Sequence, residues 1–167
     1  MTTLIIRDEE ISEAQAIYDL TAIAFKPMAY SDGTEAPLVG QLREDGDLAI
    51  SLVATRDKKV IGHVAFSPVT INNIHDHWYG LGPISVHPDV QKQGIGSQLI
   101  KEGFIRLKAL GAKGCALIGD PKYYKRFGFE NDGKLSYANV PKEAVMWIGF
   151  DSEPQEGILK FSPAFGE

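Results

Sequence analysis

The chain has 167 residues, of which 44% are hydrophobic, so it can bury one sizeable core but is short for two ordinary domains. Its 17 Lys and Arg and 22 Asp and Glu residues give a formal net charge of -5. Nucleic acids and anionic membranes attract clustered positive charge, so this balance argues against a general binder of either. We therefore expect one domain over residues 1–167, with no nucleic-acid partner.

The cysteine content and the lack of long apolar stretches bear on the compartment. Cys115 is the only cysteine, which excludes an intramolecular disulfide, and its apolar surroundings indicate a buried thiol rather than a nucleophile. No window reaches the ~18 apolar residues that a membrane span requires, and the N-terminus has no basic start before an apolar stretch. We expect a cytoplasmic protein that does not enter a membrane.

The spacing of apolar residues predicts a chain of alternating helices and strands. In chain order we expect a strand at Leu4–Ile6, helices at Ile11–Ala24 and near Glu35–Glu44, strands at Leu48–Ala54, Val60–Phe66 and Trp78–Val86, a helix at Ile95–Leu110, a strand at Cys115–Ile118, a short helix at Tyr123–Tyr124, and strands near Val145–Ile148 and Leu159–Phe161. The charged turn Arg56–Lys59 makes the second and third strands an antiparallel hairpin. The helical crossover before Cys115 makes its strand parallel to its predecessor, so the sheet is mixed.

A glycine-bearing loop joins a strand to an amphipathic helix in the middle of the chain. Residues 82–96 read Gly-Pro-Ile-Ser-Val-His-Pro-Asp-Val-Gln-Lys-Gln-Gly-Ile-Gly. Glycines let the backbone approach a ligand, and a helix N-terminus directs unpaired N–H groups at it, an arrangement that suits a pyrophosphate. The loop is neither a Walker A motif nor the three-glycine dinucleotide fingerprint. Taken alone, it is equally compatible with a tight strand-to-helix turn at Gly94 and Gly96.

A second motif follows about one strand–helix unit later, and with it a resemblance to a known family becomes specific. Gln-x-x-Gly-x-Gly at residues 91–96 and Tyr-x-x-x-Gly-Phe at residues 124–129 resemble the paired signature of the GNAT superfamily of N-acyltransferases. Residues 42–46, 62–68 and 119–121 are similar to its YhbS-like bacterial branch. The resemblance covers roughly residues 4–130 and fades after Asp132. It implies an α/β (α+β) fold with a mixed, mostly antiparallel central sheet flanked by helices, and a splayed parallel strand pair at the cofactor site.

The resemblance also implies acetyl-coenzyme A (acetyl-CoA) as the acyl donor. In the family, the strand before the loop binds the pantetheine arm and the thioester carbonyl through its backbone, a role that falls here on the stretch Ile84, Ser85 and Val86. The loop residues expected at the pyrophosphate are Gln91, which orders the loop, and the backbone amides of Gln93, Gly94, Ile95, Gly96 and Ser97. Lys92 stands where the family more often has glycine, and its side chain either contacts phosphate or faces solvent.

Acyl transfer to an amine requires a stabilised oxyanion and a proton for the departing thiolate. The resemblance implies that Tyr124 is the general acid. The chemistry is compatible, since a phenol of pKa ~10 protonates a thiolate whose conjugate acid has a pKa of ~8.5 only slightly uphill. Tyr123 is its neighbour and rival, but the four-residue step to Gly128 selects Tyr124. The amide of Ile84 is the expected oxyanion donor.

The general base and the role of several charged groups stay open. The candidate bases are His63, Tyr79, Glu35, Glu44 and Asp120. His75 and His77 are expected in a surface turn rather than at a metal, since no cysteine joins them. The side chains of Lys122, Lys125 and Arg126 either meet the cofactor's 3′-phosphate or form a solvated helix face.

We expect an acetyl-CoA-dependent N-acetyltransferase for a primary amine of a small molecule or protein. The alternative is a non-catalytic acyl-CoA binding or sensing module that keeps the cofactor site without a productive acceptor pocket. A nucleotide-binding protein that uses the same loop is a third reading. The segment after Asp132 either closes the acceptor pocket or supplies a homodimer contact.

Overall fold

The computed structural model describes residues 3–28, 31 and 33–166. Its strands are β1 (Ile5–Asp8), β2 (Ile50–Arg56), β3 (Lys59–Pro68), β4 (Thr70–Ile71), β5 (Trp78–Val86), β6 (Gly114–Ile118), β7 (Leu135–Ser136), β8 (Val145–Gly149) and β9 (Gly157–Lys160). Its α-helices are α1 (Ala14–Phe25), α2 (Glu35–Glu44), α3 (Ile95–Ala109) and α4 (Pro121–Tyr124). Within these described ranges, no helix has the length and apolar character needed to cross a membrane.

The predicted order of helices and strands is confirmed, with differences at the ends and in the shortest elements. The first helix opens with a 3₁₀ turn at Ile11–Glu13, so its α-helical part begins at Ala14. The last strand begins at Gly157 and ends at Lys160, one residue before the predicted end. Strands β4 and β7 were not predicted, because two residues are too few to show a strand period.

The chain forms two compact units, which we describe separately. Unit 1 comprises the residues up to Phe66 together with Gly82–Arg106, and unit 2 comprises Ser67–Leu81 together with the chain from Leu107 onward. Strand β5 passes from unit 2 into unit 1 at Gly82, and helix α3 passes back after Arg106. The prediction of a single domain stays a prediction.

Unit 1 contains an antiparallel sheet with helices on it. Strands β1, β2 and β3 pair in that order, with Arg7 opposite Val53 and Val53 opposite His63, and the second half of β5 continues the sheet beside β3. Buried Ile17 of α1, Val39 of α2 and Val53 of β2 form one apolar cluster. Helices α1 and α2 therefore cover the sheet through residues of the predicted helical period.

Helix α3 packs on β3 in unit 1 through glycines that allow close approach. A Cβ at Gly62 would lie 3.0 Å from Ile95 Cγ2 and 3.1 Å from Leu99 Cδ1. A Cβ at Gly103 of α3 would lie 2.3 Å from Cζ of Phe66. Each glycine thus makes room for side chains of the other element, which fixes how α3 packs on β3.

Unit 2 contains the parallel strand pair and a second small sheet. The first half of β5 pairs parallel with β6, from Trp78 opposite Gly114 to Gly80 opposite Ala116, and β6 pairs antiparallel with β8. The mixed sheet is thus confirmed, while splaying of the parallel pair stays a prediction. The second sheet has the order β4-β9-β7. The core of unit 2 includes Trp78 and Trp147, whose ring centroids lie 6.3 Å apart in an edge-on arrangement.

The cysteine prediction is confirmed in unit 2. Cys115 in β6 is 0% exposed, and burial raises the pKa of its thiol well above the usual range. A thiol held protonated in an apolar sheet has little nucleophilic character.

The close packing of α3 on β3 yields a stability prediction. Gly103→Ala should lower the free energy of unfolding by about 1–3 kcal/mol, because its methyl group would overlap the Phe66 ring. Gly40→Ala, in the middle of α2, is the matched control: no atom lies within 4 Å of its added Cβ, so it should raise stability by about 0.5–1 kcal/mol. Denaturant unfolding of both variants measures the difference. Equal effects in the two would contradict the packing described here.

Candidate active site

Strand β5 leads into helix α3 through residues 87–94, all within unit 1. The N–H of His87 donates to the carbonyl of Ile61 at 2.8 Å, which ties the end of β5 to β3. Nε2 of Gln91 donates to the carbonyl of Val86 at 3.2 Å, so the Gln91 side chain folds back on the strand it follows. The structure thus brings the Ile84–Val86 stretch and the glycine loop together. This hydrogen bond is a contact through which Gln91 can order the loop.

Two loop residues have left-handed backbone conformations. Lys92 has φ 64° and Gly94 has φ 84°. Glycine adopts positive φ at no steric cost, whereas a lysine there carries strain. This explains why the family's more usual glycine suits position 92. The Lys92 side chain is exposed, and its backbone takes the same kind of turn that a glycine would take.

The start of α3 fits an anion. The helix runs for 15 residues from Ile95, and its first N–H groups have no partners within the helix. No heavy atom lies within 4 Å of the position that a Cβ at Gly94 would occupy, so there is open space at the loop. Backbone donors and the positive end of the helix dipole converge there, which is the chemistry that a pyrophosphate requires.

Tyr124 lies in unit 2, at the C-terminal end of α4. Asp120 begins that helix by accepting a hydrogen bond from the N–H of Lys122 at 2.9 Å. The Tyr124 ring lies edge-on to Tyr123 at 4.9 Å and to Phe129 at 6.0 Å between ring centroids. A Cβ at Gly119 would lie 2.5 Å from Cε2 of Tyr124, so this glycine makes room for the ring. The half-buried phenol is therefore held by aromatic packing.

The candidate bases have different surroundings. Asp120 acts as a helix cap, and Glu35 accepts a hydrogen bond from the Ser31 hydroxyl at 2.6 Å. Tyr79 contacts His75 edge-on, with ring centroids 5.5 Å apart. His63 is fully buried, and its pKa falls to about 4 because burial disfavours the charged ring and Arg43 adds to that effect, against the opposing influence of Glu9.

A buried polar chain around His63 was not predicted as a unit. Arg43 donates to both carboxylate oxygens of Glu9, at 2.9 and 2.8 Å. Ser51 Oγ donates to Glu9 and lies 2.8 Å from Nε2 of His63. Burial opposes ionisation of Glu9, but the bonds from Arg43 and Ser51 outweigh it and hold the pKa of Glu9 below its usual value. No short motif signals such a chain, since Glu9 and Ser51 are 42 residues apart.

The basic side chains near Tyr124 are partly accounted for within unit 2. The guanidinium of Arg126 lies 4.6 Å from the centroid of the Tyr123 ring, and its Nε donates to the Tyr123 carbonyl at 3.0 Å. Lys122 and Lys125 are exposed. Across the described part of the chain, no three His, Cys, Asp or Glu side chains are grouped so that they could hold a metal ion.

Comparison with known proteins gives a family match over the loop and the tyrosine motif. The model of the acetyltransferase (GNAT) domain matches residues 47–131. A protein described as the uncharacterized N-acetyltransferase YhbS of Escherichia coli (strain K12) is 44% identical over 103 residues, which are 61% of this chain. The matched region spans 62% of that relative's length.

Two crystal structures match over nearly the full chain. A GNAT family acetyltransferase from Brucella melitensis in complex with acetyl-CoA is 41% identical, covers 98% of each chain and superposes with a TM-score of 0.88. YhbS from E. coli in complex with CoA is 32% identical, covers 100% of this chain and 94% of its own, and gives a TM-score of 0.90. The domain model matches half of this chain, and the two crystal structures match nearly all of it. The chain therefore belongs to the GNAT acetyltransferase family.

Proposed function

We propose that this protein is an acetyl-CoA-dependent N-acetyltransferase that moves an acetyl group to a primary amine of a small molecule or protein. The observation that carries the proposal is the passage from β5 through a loop with left-handed Lys92 and Gly94 into α3. That loop offers backbone donors and open space for a pyrophosphate. The complexes of the two relatives with acetyl-CoA and CoA support the same ligand here.

The residues fit this donor, and each has a defined task. Bound acetyl-CoA supplies the acetyl group as a thioester. The amides of Gln93, Gly94, Ile95, Gly96 and Ser97 bind its pyrophosphate, and the backbone of Ile84, Ser85 and Val86 aligns its pantetheine arm. The Ile84 N–H donates to the carbonyl oxygen as negative charge develops on it, which is where a fixed donor lowers the barrier.

The thiolate that leaves during acetyl transfer needs a proton, and Tyr124 is the proposed source. The acceptor nitrogen forms a bond to the acetyl carbon, the carbon–sulfur bond breaks, and the nitrogen loses a proton. The Tyr124 hydroxyl gives its proton to the departing thiolate and is reprotonated afterwards. Aromatic packing by Tyr123 and Phe129 holds the phenol in place, which favours a fixed acid over a mobile surface tyrosine.

Several expectations about the protein's setting accompany this proposal. We propose a cytoplasmic location, in keeping with an intracellular acyl-CoA donor. One domain over residues 1–167 and a homodimer contact from the segment after Asp132 stay predictions. Sedimentation analysis of the purified chain tests the second.

Calorimetric titration with acetyl-CoA tests the proposed donor. We expect micromolar binding, similar binding of desulfo-CoA, and much weaker binding of an adenine nucleotide without pantetheine. Equal binding of the bare nucleotide would instead favour a nucleotide-binding protein. If acetyl-CoA binds, an amine panel monitored by release of free CoA tests turnover. Binding without turnover over a broad panel would favour the acyl-CoA sensing module.

Tyr124→Phe tests the proposed general acid. Turnover should fall by roughly 10²–10⁴-fold, because the phenylalanine ring keeps the packing but has no proton to give, while acetyl-CoA affinity stays nearly unchanged. Tyr123→Phe removes a hydroxyl from the adjacent ring and should retain turnover. Undiminished turnover of the Tyr124 variant would remove this residue from the mechanism.

Gly94→Val tests the position of the pyrophosphate. A β-branched side chain disfavours φ 84° and would fill the open space at the loop, so acetyl-CoA affinity should fall at least roughly tenfold. Gly133→Val is the matched control, since Gly133 also has φ 84° but lies in a loop of unit 2. The control should lose similar stability and keep its affinity. Normal affinity of the Gly94 variant would show that the phosphates bind elsewhere.

A further inference from the structure

Four side chains of unit 1, three from α2, β2 and β3 and one from the residue after β1, form a continuous polar network. Glu9 follows β1, Arg43 lies in α2, Ser51 in β2 and His63 in β3. Side-chain exposure is 14% for Glu9 and 21% for Arg43, whereas His63 is 0% exposed. The chain therefore runs from a carboxylate that solvent reaches to an imidazole that solvent does not reach.

The hydrogen bonds fix where the protons are. An ionised Glu9 only accepts, so the Ser51 hydroxyl donates to it. With its proton used in that way, Ser51 Oγ accepts from His63, which places the neutral ring's proton on Nε2. Nδ1 of His63 is therefore an unprotonated acceptor. The low pKa of His63 keeps the ring in this neutral form at pH 7.

The inner end of the chain has an unpaired acceptor and an unpaired hydroxyl nearby. Among the described residues, neither Nδ1 of His63 nor Oγ of Ser85 has a hydrogen-bond partner, although both are buried. Strands β3 and β5 are neighbours, and the bond from His87 N–H to the Ile61 carbonyl sets their register at this end. From the register of that one bond we infer that Ser85 lies opposite His63, with both side chains on one face of the sheet.

Stability does not account for this arrangement. A buried polar atom without a partner costs about 1–3 kcal/mol, and a buried ion pair often contributes no more than apolar residues of similar volume. Apolar residues in place of these four polar side chains would extend the apolar cluster of Ile17, Val39 and Val53. The two unpaired atoms instead mark a point where a proton can enter the chain.

We propose that Ser85, His63, Ser51 and Glu9 form a proton relay that carries the ammonium proton of a protonated alkylamine from the transferase site to solvent, before the neutral nitrogen attacks the thioester. Ser85 connects the relay to that site. It lies in the sequence between Ile84 and Val86, whose backbone is proposed to align the pantetheine arm of acetyl-CoA. The inference rests on the proposed function and deepens it by naming the route of the proton that the amine must lose. Each residue acts through the next, so His63, Ser51 and Glu9 are relay residues rather than groups that touch substrate.

The relay conserves protons at each step. Ser85 Oγ and Nδ1 of His63 are not hydrogen-bonded in the structure, so the first step requires a side-chain rotation that joins them. The Ser85 hydroxyl then receives the incoming proton and passes its own to Nδ1. The imidazole passes its Nε2 proton to Ser51 Oγ, and Ser51 passes its hydroxyl proton to Glu9. The imidazole gains the proton on Nδ1 and loses the one on Nε2 in a concerted step, so the fully buried ring does not hold a charge. Arg43 favours ionised Glu9, so this carboxylate releases the proton to water. One passage leaves the His63 proton on Nδ1, so the imidazole must return to the Nε2 tautomer and the two hydroxyls must rotate back before the next proton passes.

Ser51→Ala tests the relay, because it removes the hydroxyl that joins His63 to Glu9. Turnover should fall by roughly 10²-fold with an alkylamine, which is protonated at pH 7, and stay unchanged with an arylamine, which is already neutral. Ser51→Thr keeps the hydroxyl and should restore turnover with the alkylamine. Acetyl-CoA affinity and melting temperature are followed in parallel. An equal loss with both amines, or no loss with either, would contradict the relay.

Nuclear magnetic resonance tests the same chain without turnover. In protein with ¹⁵N-labelled histidine, His63 should show a protonated Nε2 and an unprotonated Nδ1, and Ser85→Ala should shift the Nδ1 resonance. The opposite tautomer, or an unmoved Nδ1 resonance, would overturn the proposal. If wild-type protein binds no acetyl-CoA, the transferase function fails, and the relay falls with it. If the wild-type protein turns over both amines and Ser51→Ala affects the two equally, the relay is refuted and the transferase function stands.

Discussion

The turn from β5 into α3 is the constraint on which the candidate active site depends. Residues 87–94 must reverse the chain between a strand end bonded to β3 and the first turn of a helix that packs on the same strand. Left-handed backbone at Lys92 and Gly94 makes that possible in so few residues. The first N–H groups of α3 lack partners within the helix, so the proposed pyrophosphate site uses backbone donors and needs no charged side chain.

The polar chain from Glu9 to His63 imposes a second constraint on unit 1. Its members come from one helix, two strands and the residue after a third strand, so its hydrogen bonds form only when all four elements are in place. Low local dielectric strengthens each bond and raises the cost of each unpaired atom. A network of this kind defines one arrangement of α2 on the sheet and discriminates against slipped alternatives.

The parts of this structure that are local in sequence could be predicted, and the long-range parts could not. The Gln91–Gly96 loop and Tyr124 are readable because each motif is contiguous and lies next to a periodic element. Pairing in the hairpin of β2 and β3 followed from one charged turn. Strands β4 and β7 are too short to carry a period, and they pair through β9, which is far along the chain. Glu9 and Ser51 could not be paired from the sequence, because the hydrogen bond between them joins residues 42 positions apart.

Helix α3 has two glycine contacts with β3, and they are complementary. At the first contact, Gly62 of the strand has no side chain, and Ile95 and Leu99 of the helix pack against it. At the second, Gly103 of the helix has no side chain, and Phe66 of the strand packs against it. Successive residues of an α-helix are rotated by about 100°, so a one-residue slip of α3 would turn Ile95 and Leu99 away from Gly62 and would turn Gly103 away from Phe66. The helix therefore has a single permitted rotation and depth. An engineer who transplants the loop before α3 into another scaffold must carry both glycines with it, because they set the position of the helix that follows the loop, although neither belongs to the loop.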